Sequence, residues 1–68
     1  MEYFDYESAA REAGISADLL TRVVAAMRIE FPHDLMMLEL HVLRACMAVR
    51  DGQATVDQIL ETSIAIES

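Results

Sequence analysis

Residues 8–23 read SAAREAGISADLLTRV, and this stretch decides the fold because it ends one helix and starts the next. Gly14 stands where a helix stops in the left-handed conformation, and Ser16 can cap the helix that follows. Ala10 is small enough to let two helices approach closely. Apolar side chains that could clamp the pair follow at Ile15, Leu20 and Val23. The spacing predicts a helix-turn-helix motif.

Further breaks at Pro32 and Gly52 divide the chain into four helical segments. Asp5 can cap the first segment, and Thr55 with Gln58 forms a capping box ahead of the fourth. The sequence therefore predicts a single all-α domain over residues 1–68, compact and built on the helix-turn-helix. Its four helices are predicted at about 5–13, 17–30, 34–50 and 56–66.

The predicted third helix is apolar over more than half of its circumference. One apolar stripe consists of Leu35, Leu38, Val42, Ala45 and Val49. A second stripe consists of Met36, Leu40, Leu43 and Met47, while Glu39 and Arg50 fall between the two. A helix of this kind is central and packs on two sides. Cys46 adjoins the first stripe, so we expect a buried, unreactive thiol.

The hydrophobic content of 54% is high for 68 residues, and so small a domain cannot bury all of it. The excess predicts a protein partner, and self-association as a homodimer would also support a thin core. The side of the third helix around Met37 is the one that we do not expect to face the core. Alternatively, Tyr3, Phe4 and Tyr6 could fold over the strip from Met37 to Ala48. The partner-binding residues predicted from this helix are Met36, Met37, Leu40, His41, Arg44 and Met47.

Charge and cysteine content restrict the partners and the compartment. Five Arg, no Lys and twelve Asp or Glu give a net charge of −7, which disfavours binding to nucleic acid. A single cysteine cannot form an internal disulfide, and nothing resembles a signal peptide or a membrane span of about 18 apolar residues. We therefore expect a cytoplasmic protein that does not bind membranes.

In the order of its elements, the chain resembles the winged helix-turn-helix domains of MerR type, named after mercury-resistance regulators. The resemblance covers about residues 4–64: the helix-turn-helix, EFPHD (30–34) as a shortened wing, and LELHVLRACMAVRDGQATVDQIL (38–60) as a long helix, a glycine turn and a Thr-capped helix. The Arg-Tyr pair typical after the second helix of this family is replaced by MRIEF (27–31). The resemblance implies either excision factors or small modulators that bind other proteins, including J-domain chaperones. The acidic charge fits the second group better.

The alternative function is a DNA-binding transcriptional regulator or an excisionase-like protein. Its nucleic-acid contacts would come from the outer face of the second helix and from the first helix, through Arg11, Thr21, Arg22, Ala25 and Arg28. Two cations on the outer face are few for a protein that clamps phosphates.

No residue set predicts catalysis, a cofactor or a metal site. Glu30 and His33 have the Glu-x-x-His spacing of carboxylate-bridged iron sites, and His41 could add a ligand. Pro32 lies inside that motif and interrupts a continuous helix, so we expect both histidines to face solvent or a partner. The sequence therefore predicts a non-enzymatic regulatory or protein-interaction module with neither metal nor cofactor.

Overall fold

A computed structural model describes residues 3–67 of the chain, with side chains described as far as Glu61. Four helices follow one another: α1 at Tyr6–Glu12, α2 at Ala17–Glu30, α3 at Leu35–Arg50 and α4 at Val56–Glu67. Residues 3–67 include no strand, which confirms the predicted all-α class with four helices. No helix in this described range is long and apolar enough to cross a membrane.

The predicted helix caps are present. Asp5 Oδ1 accepts the backbone N–H of Ser8 at 3.2 Å, and Ser16 Oγ accepts that of Leu19 at 3.2 Å. These oxygens satisfy amides that have no partner inside the helix, and each cap contributes about 1 kcal/mol. At α4 the capping box is closed, since Thr55 and Gln58 exchange backbone-to-side-chain hydrogen bonds of 3.0 and 3.2 Å.

Two glycines end the first and third helices in the predicted left-handed conformation. Gly14 has φ of +75° and Gly52 has φ of +76°. After α1, the Ile15 N–H donates to the Ala10 carbonyl at 2.9 Å, which closes the helix end. A side chain with L chirality would be strained at either glycine.

Helices α2 and α3 pack on each other, and each of them also holds one further helix. Helix α3 contacts both α1 and α2, whereas α4 packs on α2. The principal contacts of α1 are with α3 rather than with α2, and the predicted helix-turn-helix crossing stays a prediction. The buried apolar residues of the core are Ala9, Ala10, Ile15, Val23, Met27, Leu38, Val42 and Cys46.

Helix α1 runs alongside α3 in the same direction. The backbone N–H groups of Tyr3 and Phe4 bond to Glu39, and Glu12 at the other end of α1 pairs with Arg50 at 3.2 Å. Helix α1 therefore lies along one side of α3, from the second turn of α3 to its end. It leaves the first turn of α3, where Leu35 is 38% exposed, outside the cover of α1.

The two apolar stripes of α3 differ in burial. Most of the first stripe is in the core, where Leu38 and Val42 are buried. In the second stripe only Leu43 packs against the core, whereas Met36 is 49% and Met47 is 38% exposed. Helix α3 is therefore central, as predicted, but its second stripe is exposed at its two ends, Met36 and Met47.

The thiol of Cys46 is buried, as predicted, and burial raises its pKa above the ordinary value. Because only the thiolate reacts, we expect a thiol reagent such as Ellman's reagent to modify native protein at least about 100-fold more slowly than urea-unfolded protein. The release of the reagent's chromophore at neutral pH measures both rates. Equal rates in the two states would contradict a buried thiol.

Candidate protein-interaction face

The outer face of α3 consists of the six residues that the sequence predicts to bind a partner: Met36, Met37, Leu40, His41, Arg44 and Met47. At about 100° per residue these positions share an arc of about 140° around the helix. The arc is separate from the positions of Leu38, Val42 and Cys46, which face the core. None of the six belongs to the core cluster or to the apolar residues packed against it.

The outer face is predominantly apolar and carries no acidic side chain. Met36, Arg44 and Met47 are exposed, and the other three residues are half-buried. The face extends from residue 36 to residue 47, about 16 Å along the helix axis. Its single full charge is the exposed guanidinium of Arg44. On a chain of net charge −7, these six residues form a surface without a carboxylate of its own.

The imidazole of His41 is fixed at one edge of the outer face. Its Nδ1 lies 2.9 Å from the Met37 carbonyl oxygen, and its ring centroid lies 4.5 Å from that of Phe31. The ring of Phe31, in the turn after α2, therefore limits the rotation of the imidazole. His41 contributes a positioned ring to the edge of the outer face.

Glu39, which lies between the two apolar stripes of α3, is a buried carboxylate. It is 1% exposed, and Oε1 accepts the backbone N–H groups of Tyr3 at 2.9 Å and Phe4 at 3.0 Å. We call residues 3–5 the N-terminal strap. The sequence does contain a signal for this role, because Glu39 is the only acidic residue within α3. An acid in an apolar helix needs donors when it is buried.

The position of the strap corrects the alternative in which the N-terminal aromatics cover Met37 and Ala48. The strap bonds to Glu39, and Met37 lies about 200° around the helix from that residue. Two backbone amides aimed at one buried carboxylate hold the segment on the α1 side of α3. Of the aromatics, Tyr6 packs against the core and Tyr3 is exposed.

The phenol of Tyr6, in the first turn of α1, lies close enough to Glu39 for their charges to interact. Burial raises its pKa above the ordinary value, and the negative charges of Glu39 and Glu7 raise it further. Arg28 acts on it in the opposite direction. The cation of Arg28 is thus electrostatically linked to the region between α1 and α3.

The residues of the alternative nucleic-acid site come from α1 and from one side of α2. Arg11 and Thr21 line a groove of about 390 Å³ between α1 and α2, together with the acidic Glu7. The Thr21 hydroxyl donates to the Ala17 carbonyl of its own helix at 2.9 Å. Around α2, Thr21, Arg22, Ala25 and Arg28 are all exposed and share an arc of about 120°.

The residues considered for a metal site lie at the junction of α2 and α3. Glu30 is the last residue of α2, His33 is exposed in the turn, and His41 belongs to the second turn of α3. Over the part of the chain that is described, no group of three or more His, Cys, Asp or Glu side chains is placed to hold a metal ion.

This chain matches no protein-family model, no curated protein and no solved structure with which it was compared.

Proposed function

We propose that the protein is a small, non-enzymatic, regulatory protein-interaction module that forms a homodimer through the outer face of α3. The observation that carries the proposal is the apolar second stripe of α3, which is exposed at Met36 and Met47 while Leu38, Val42 and Cys46 on the other side of the helix are buried. Contiguous exposed apolar surface on a small domain is typical of an interaction site.

The spacing of the second stripe favours a second copy as the partner. Its residues stand at positions 36, 40, 43 and 47, so the intervals of four, three and four read the same in both directions; Leu43, which borders the outer face, also packs against the core. A two-fold interface brings the same patch of each copy together, and a stripe with this symmetry can face itself in register. The intervals are also those of helices that pack with interlocking side chains.

Salt is expected to strengthen this association. Two copies of charge −7 repel each other, and dissolved salt screens this repulsion. Because the proposed contact is apolar, the same salt does not weaken it. Sedimentation equilibrium at about 50 mM and about 500 mM NaCl should show a dimer that becomes tighter at the higher salt. A chain that remains monomeric at high micromolar concentration in both buffers would refute the proposal.

The same salt series separates this proposal from the DNA-binding alternative. Affinity for phosphates falls steeply with salt, because binding releases counterions. We expect fluorescence anisotropy with a random duplex at low salt to show no binding below about 10 μM. Salt-weakened binding that is lost in Arg22→Ala would instead favour a regulator of MerR or excisionase type, with Arg11 and Thr21 as further contacts.

A further inference from the structure

The groove between α1 and α2 consists of two adjoining cavities. Both helices pack on α3, and the space between them is not filled. The larger cavity measures about 390 Å³ and the smaller about 210 Å³, and both are lined by Glu7, Leu20 and Thr21. Cavities above about 300 Å³ are of the size that holds a small organic molecule. Among the described residues, those of α3 line neither cavity, so the groove is separate from the outer face of α3.

Most of the groove wall is apolar. Ala10 and Ile15 form a buried part of the larger cavity, and the half-buried side chain of Leu20 lies between the two cavities. Val24, one turn further along α2, continues the apolar wall in the smaller cavity. The groove can therefore cover the apolar body of a ligand.

Three polar groups line the smaller cavity: the Tyr6 phenol, the Glu7 carboxylate and the Thr21 hydroxyl. The Thr21 hydroxyl gives its proton to the Ala17 carbonyl at 2.9 Å, so its oxygen can only accept from a ligand. The carboxylate of Glu7 is likewise an acceptor, and the face of the Tyr6 ring carries the negative part of the ring quadrupole. These three groups together suit a cation.

Glu7 is the charged group of the groove that has no ion-pair partner. It is exposed, and no described cation lies within ion-pair distance of it. Arg11 also lines the larger cavity, but its Nη2 donates to Ser8 Oγ at 3.1 Å, and that hydroxyl donates to Asp5 at 2.7 Å. The guanidinium of Arg11 is thus engaged at the start of α1. The net charge of −7 also attracts cations rather than anions.

We propose that this groove binds a small organic cation, namely a protonated amine with an apolar body. The ammonium lies in the smaller cavity against Glu7, Thr21 and the ring of Tyr6, and the apolar body occupies the larger cavity along Ala10 and Ile15. Aromatic rings recognise ammonium groups through cation–π attraction, and a carboxylate adds a charge-assisted hydrogen bond. Because the groove is separate from the outer face of α3, the inference does not depend on self-association.

Phenethylamine, which carries an ammonium at neutral pH, is the probe for this site. Phenethyl alcohol keeps the ring and the length but has no charge. Titration of the isotope-labelled full chain, followed by NMR, gives both dissociation constants. We expect about 1 mM or below for the amine and a value at least about five-fold higher for the alcohol. The largest shift changes should occur at the amides of Glu7, Leu20 and Thr21.

Two pairs of variants assign the binding to the groove. Glu7→Gln and Glu61→Gln remove one negative charge each, and Glu61 is exposed on α4, away from the residues that line the groove. We expect Glu7→Gln to weaken amine binding at least about five-fold and Glu61→Gln to change it by less than about two-fold. Tyr6→Leu should weaken it about two- to five-fold, whereas Tyr6→Phe keeps the ring face and should bind as the parent chain does.

Each result supports or overturns the inference. A preference for the amine that is lost in Glu7→Gln and kept in Glu61→Gln supports it. Equal affinities for the amine and the alcohol, or no shift changes in the groove at about 10 mM amine, overturn it. Equal losses in Glu7→Gln and Glu61→Gln also overturn it, because net charge would then explain the binding. A monomeric chain that binds the amine through Glu7 overturns the proposed function but leaves this inference in place.

Discussion

Leu40→Asp is expected to abolish self-association while leaving the fold intact. Leu40 lies at the middle of the outer face of α3, where it is half-buried and outside the core, so a carboxylate there can still reach water in the monomer. In a two-fold dimer it would place two uncompensated negative charges in an apolar contact. Desolvation of such charges costs about 3 kcal/mol or more, which corresponds to a loss of about 100-fold or more in affinity.

The measurement is sedimentation equilibrium, with circular dichroism to follow helix content. Ala25→Asp is the matched control, because it adds the same charge to an exposed position of α2. We expect Ala25→Asp to dimerise like the parent chain. If both variants lose affinity equally, net charge rather than the outer face of α3 governs association, and the assigned surface is wrong.

The second large effect is expected for Glu39→Ala, which should destabilise the fold itself. The variant leaves the N–H groups of Tyr3 and Phe4 without the oxygen that they now share. A buried donor without a partner costs about 1–3 kcal/mol, and these two amides are only partly buried, so we expect a loss of about 1–3 kcal/mol in the free energy of unfolding. A domain of this size has only about 3–10 kcal/mol in total.

Urea denaturation followed by circular dichroism measures that loss. Glu7→Ala removes an exposed carboxylate from α1 and should change stability by no more than about 0.5 kcal/mol. Glu39→Gln, which keeps an acceptor oxygen, should fall between the two. Equal stability of Glu39→Ala and Glu7→Ala would mean that the strap contributes nothing to the fold.

The helices could be predicted because their ends depend on local chemistry. Asp5, Ser16 and the Thr55 capping box act within four residues of themselves, and Gly14 and Gly52 take a backbone conformation that few other residues tolerate. Such signals need no knowledge of distant parts of the chain. Which helices pack against each other was harder to predict. The packing of α1 on α3 depends on contacts between residues that lie about 35 positions apart in the sequence.

The outer face of α3 was predictable for a similar reason. Helical periodicity alone separates Met37 and Leu40 from Val42, and exposure follows once one side of the helix is known to be core. The role of Glu39 could not be predicted from periodicity. Its partners are backbone amides of the strap, and a backbone amide has no sequence signature.

The length of α1 has a consequence for the order in which the domain assembles. With seven residues, α1 is far below the size at which an isolated helix survives in water, because nucleation of the first turn is unfavourable. It gains its stability from α3, which the chain reaches only after the whole of α2. Bringing α1 and α3 together closes a loop of chain that contains α2, and this closure carries an entropic cost. Helices α2 and α3, in contrast, are neighbours along the chain. We therefore expect α1 to become helical only when it docks on α3, which makes it a late step of folding.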